Sequence, residues 1–183
     1  PSVTSWNGEI DFWNHVDQTV VNNMVGQGVM ALTGMSTVAA AWAKLLPEYE
    51  VGQGIAVKVN LNNSLGCSDS DGQIDAVMDP VNAVVRGLKE IGVAESDVWI
   101  YDAIRHIPNR FVDRSEFPGV RFFDNGCRDP AGFTSNDPDA FVDFHPPTGI
   151  PMPPAIRVSD VLINATYLIN IPILKTHGYT GMT

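Results

Sequence analysis

Basic residues are scarce in this 183-residue chain: Lys and Arg number 11 against 21 Asp and Glu, a formal net charge of −10. Binding a phosphate backbone needs clustered cations, and these are scattered, so a nucleic-acid partner is excluded. Long apolar runs are also missing. None approaches the ~20 residues that cross a bilayer, and no basic segment followed by an apolar core marks a signal sequence. Cysteine is limited to Cys67 and Cys127, too few for a Cys-rich zinc or iron–sulfur site. Charged residues make up 17% of the chain and apolar ones 44%, which excludes a disordered polyelectrolyte and predicts one domain with a sizeable core. A start at Pro1 without Met is expected of a processed or excised polypeptide.

What is present predicts an α/β fold, a mainly parallel sheet with flanking helices. Residues 1–50 form an N-terminal helical segment packed on an α/β domain of residues 51–183. In 11–32, Phe12, Val16, Val20, Met24 and Met30 fall near one helical face, weakened by Gly26 and Gly28. A second helix is expected over 35–46, with Ser36 or Thr37 near its start, Trp42 on its buried side and Pro47 ending it. The alternation of GIAVKVNL, residues 54–61, predicts the first core strand. Asp79 and Pro80 read as N-cap and first residue of a helix that Gly92 ends. VWIYDA, residues 98–103, is the next strand, so 54–103 form a strand–helix–strand unit with Lys58 and Asp102 at the carboxyl ends of adjacent parallel strands. Further strands are expected at 119–124 and 140–144, a Pro-rich loop at 145–154, a short helix at 158–165, and a last strand at 168–174 whose Pro172 suggests an edge or a bulge.

Ligands of open α/β sheets bind outside the carboxyl ends of the strands, and candidate chemistry concentrates there. Lys58 either pairs with Asp102 or binds or acts on a substrate. Asn60 and Arg105 are candidate ligand-binding residues beside them, whereas Arg110 reads as structural. The strand ending at Leu174 empties into Lys175, Thr176, His177, Gly178 and Thr180. There lysine can hold an anion or act as a base, histidine can transfer protons or ligate a metal, and glycine lets backbone approach a ligand. The bland alternative is a polar loop. His106 and His145 lie in loops without the i+4 partner of a helical metal site. Asp69, Asp71 and Asp75 suggest a calcium loop, but alignment on Gly72 puts Cys67 and Met78 where carboxylates are needed, so capped turns are expected. Cys67 and Cys127 sit in polar turns, and either form a disulfide or remain two free thiols.

Four segments, AVKVNL (56–61), WIYDAIRHIPNRF (99–111), GVRFFDNGC (119–127) and YLINIPILKTHGYTGMT (167–183), together resemble the family called domain of unknown function 362, in its exported, twin-arginine-signal form. The most distinctive match is Lys-x-His-Gly-x-x-Gly-x-Thr from Lys175. The resemblance implies an α/β fold, extracytoplasmic location and continuation of this loop beyond Thr183. Fused ferredoxin modules in some relatives imply redox-associated chemistry, and the loop is also similar to one in nickel-pincer lactate racemases. The expected function is a cleft for a small anionic or metal-bound ligand. Its catalytic set is Lys58, Asp102, Lys175 and His177, with His177 the candidate ligand if the cofactor is a metal ion. The rival is a non-catalytic secreted module whose partner is another protein.

Overall fold

The computed structural model describes residues 11–143, 145–152, 154–173, 176–177 and 181–182. Five parallel strands, β1 (Gly54–Val59), β2 (Val98–Tyr101), β3 (Arg121–Asp124), β4 (Asp129–Pro130) and β5 (Ala165–Ile171), form one sheet in the order β4-β3-β2-β1-β5. A two-stranded antiparallel ribbon, β6 (Thr176–His177) and β7 (Gly181–Met182), follows. The fold is α/β.

Residue alternation assigns the two faces of the sheet. Ile55, Val57 and Val59 of β1, with Val98 and Ile100 of β2, enter the larger core against α1 (Gln18–Thr33), α2 (Val38–Leu45) and α3 (Met78–Glu90). The helical turn α4 (Asn109–Val112) adds Phe111 to that face. Ala56, Tyr101 and Val161 belong to a smaller cluster on the opposite face, where α5 (Asp160–Asn164) lies. The connections from β1 to β2 to β3 step outward across the first face. The connection into β5 returns past β1 and uses the second face, as one crossover hand requires.

The buried stripe of α1 differs from the expected one. Met24 is 68% exposed, while Gly26 and Thr33 are buried and Val25 and Val29 pack on the core. Gly26 therefore marks a close approach: a Cβ there would stand 3.2 Å from Val38. Trp42 is buried as expected, against Gly87 of α3, where a Cβ would lie 2.0 Å from the indole nitrogen. Thr37 caps α2 by accepting from the Ala40 amide.

Asp79 is not an N-cap. Val77 holds that position, and Asp79 lies inside the first turn, fully buried and 2.8 Å from Arg114. Of the strand expected over 140–144, the described residues 140–143 form none: Phe141 makes one isolated antiparallel bridge to Arg157, and residue 144 lies outside the described residues. β4 takes the sheet edge instead, where the missing N–H of Pro130 costs little. β5 begins at Ala165, three residues before the expected start, and Pro172 follows its end. No single helix among the described residues is long and apolar enough to cross a membrane, and α1 and α2 are bent by 58° at their junction.

The turn before β1 carries a pH-sensitive contact. The Tyr49 hydroxyl donates to Asp97 at 2.6 Å, and the Gly52 amide donates to the same oxygen at 2.7 Å. Burial, reinforced by Asp97, pushes the Tyr49 phenol up to about 12. A tyrosine in an unfolded chain titrates near 10, so this stabilisation is fully present below about pH 10 and is lost as the pH rises toward about 12. The unfolding free energy is expected to fall across that window. Tyr49→Phe should start roughly 1–2 kcal/mol lower and fall less, and urea titrations showing the same alkaline slope for both proteins would refute the assignment.

Candidate functional site

The strand order reverses between β1 and β5, so the crevice at their carboxyl ends is a topological switch point, the usual ligand position in open α/β sheets. Val59 pairs with Ile171, which brings Asn60 and Pro172 out together at this edge. One residue earlier, Lys58 lies in register with Asn170 on β5 and Tyr101 on β2. Paired residues of neighbouring parallel strands point to the same face, so Asn170, Lys58 and Tyr101 form a row on the second face.

Lys58 is half-buried, and its ammonium donates to Asn60 Oδ1 at 2.8 Å. No carboxylate of the described residues stands within 4.0 Å of it. Asp102 follows Tyr101 at the neighbouring strand end, yet it does not neutralise Lys58. Its carboxylate accepts from the amides of Leu61, Ile104 and Arg105 at 3.0 Å each, tying together the loops after β1 and β2. A partly buried cation with no carboxylate partner among the described residues is unusual where acids outnumber bases almost two to one.

Asp124, at the end of β3, repeats this device more completely and was not distinguished in the sequence from an ordinary turn residue. One oxygen accepts from the amides of Gly126, Cys127 and Arg128 at 2.7–2.9 Å, and the other from Ile107 at 2.6 Å. The following residues carry Cys127, which is bonded to Cys67 with Sγ atoms 2.06 Å apart. This disulfide joins the loops after β1 and β3, spanning the loop after β2.

The acidic run after Cys67 folds on itself. Asp69 accepts from the amides of Leu65 and Asp71, and Asp71 from that of Gln73. Asp75 is buried, accepts from the Asn63 amide and lies 3.4 Å from Arg110. Desolvation pushes its carboxyl above the ordinary range, opposed by the Asn63 amide and the Arg110 charge. Arg110 is structural, as expected: it also donates to the Asp69 carbonyl and stacks over the Phe12 and Trp13 rings. Among the described residues no group of three or more His, Cys, Asp or Glu is placed to hold a metal ion.

Of the other candidates, Arg105 is exposed and joins the loop through its amide. His106 stands against Gly126, and His145 pairs with Asp143 on the surface. Thr176 and His177 form β6. Lys175, Gly178, Thr180 and the side chain of His177 lie outside the described residues, and so does the expectation that His177 faces the cleft of Lys58. Comparison with family models, curated proteins and solved structures returns no match.

Proposed function

We propose that this is an exported α/β protein that binds a small anion, or a metal-bound anionic ligand, in the crevice between the carboxyl ends of β1 and β5. The observation that carries the reading is Lys58, an ammonium without a carboxylate partner at the switch point of the sheet. Lys58 supplies positive charge, and Asn60 and Asn170 supply neutral polar groups beside it. In sequence, the segment from Lys175 to Thr180 follows β5; if it reached the crevice, a second lysine would add charge and His177 could exchange a proton or ligate a metal. The Cys67–Cys127 bridge supports export, because disulfides persist in oxidising compartments. The similarity to domain of unknown function 362 supports the same location and the role of the Lys175 loop.

The test is an amide-resolved NMR titration with inorganic phosphate and, separately, oxalate, on protein whose metal content has been measured by mass spectrometry. Shifts are expected at residues 58–60 and 170–177. Lys58→Met should weaken binding at least about tenfold, or about 1.4 kcal/mol, with the melting temperature little changed. Equal affinity of wild type and variant for both anions, or no response at millimolar concentrations, would overturn the assignment.

The second reading, a non-catalytic interaction module, is favoured by the outer edge of β5. No described strand pairs with it, its seven residues carry no charge or proline, and an apolar groove of ≈ 500 Å³ lined by Val25, Val29, Leu46, Tyr167, Ile169 and others runs beside it. Such an edge is a template for strand addition. Concentration-dependent light scattering abolished by Leu168→Lys would favour this reading.

A further inference from the structure

We propose that Tyr101 is a ligand-binding residue of the same crevice, its hydroxyl donating to an oxygen of the anion that Lys58 holds. The inference rests on the anion-site reading and adds a second, uncharged donor to it. Lys58 and Tyr101 are register partners on adjacent strands, so both side chains project from the second face at neighbouring positions. The strand spacing of about 4.8 Å allows an ammonium and a phenol to reach two oxygens of one phosphate or carboxylate.

Tyr101 is 3% exposed and packs with Ala56, Ala131 and Val161. A buried tyrosine ordinarily finds a partner for its hydroxyl. This one makes no hydrogen bond with a described residue. The ring is therefore held by packing, while its hydroxyl makes no hydrogen bond to a described residue. Burial, with Asp102 next to it, pushes the phenol above its ordinary value, so it remains a donor at neutral pH. An uncharged donor there supplies a hydrogen bond without a second buried cation beside Lys58.

The experiment uses the full chain with ¹³Cζ-labelled tyrosine, titrated with inorganic phosphate, with the Tyr101 signal assigned among the four tyrosines by Tyr101→Phe. Phosphate should shift the Tyr101 resonance saturably, and Tyr101→Phe should bind phosphate about tenfold more weakly with an unchanged melting temperature. If Tyr101→Phe binds as the wild type does while Lys58→Met does not, the tyrosine assignment is overturned and the anion site stands. If Lys58→Met also binds normally, both readings are lost. Should the phenylalanine variant fail to fold, the Tyr101 signal is assigned by elimination with Tyr49→Phe, Tyr167→Phe and Tyr179→Phe, and a Tyr101 resonance unmoved at phosphate saturation overturns the proposal.

Discussion

Asp124→Ala is expected to destabilise the fold by about 3 kcal/mol, because four amides lose their acceptor and an unsatisfied donor costs roughly 1–3 kcal/mol when fully buried and less when water reaches it. The carboxylate is 1% exposed and accepts from Ile107, Gly126, Cys127 and Arg128. The Ile107 bond is buried, whereas the three from Gly126, Cys127 and Arg128 are part-buried, where water can offset some of the loss. Asp124→Asn keeps one acceptor oxygen, so its loss should be about half as large. Urea unfolding of both variants gives the answer directly. An alanine variant within about 1 kcal/mol of wild type, well below the cost of even two orphaned donors, would show that these bonds contribute little.

Removal of the disulfide is the second large effect. Cys67 and Cys127 are 60 residues apart, and the chain-entropy relation gives a bridge closing such a loop about 4 kcal/mol of stabilisation, most of it exerted on the unfolded state. The double variant Cys67→Ser/Cys127→Ser should therefore unfold about 2 M earlier in urea, taking an m-value of about 2 kcal/mol/M. Reduced wild type should match it. A midpoint shift below about 0.5 M would show that the unfolded chain is already compact or that the bridge strains the native loops.

The elements that sequence reasoning found were those with a strong local signature. GIAVKVNL alternates and is bounded by glycine, and VWIYDA follows a helix of the right length, so the parallel β1–β2 unit and the position of Lys58 were readable. The disulfide was visible as one of two outcomes for a pair of polar cysteine turns. Information carried only by tertiary packing was not readable. Nothing in AFVDF says that no strand lies ready to receive it, and nothing in Asp129-Pro130 says that a short edge does. The stripe of α1 was misassigned because Met24 was counted on the buried face, whereas Val25 and Val29 pack on the core and Gly26, read as weakening the helix, is a packing site. Asp79 carries the composition of a cap but is drawn inside by Arg114, a partner 35 residues away. Asp102 was recognised by position, and its occupation by three backbone amides could not have been, since no pattern marks which loop will fold over a carboxylate.

The sheet order also sets a timetable. Val57 of β1, an interior strand, pairs with Ile100 on one side and Ile169 on the other. The first neighbour is synthesised before the second, which follows roughly 3–14 s later at about 5–20 residues per second. Until then one flank of β1 has no native partner, and the most non-local pairing in the sheet is the last that can form. The crevice at β1 and β5 is thus completed by the last pairing of the five-stranded sheet that synthesis allows. An anion bound there would act as a latch on that step, slowing the departure of β5 more than that of any other strand.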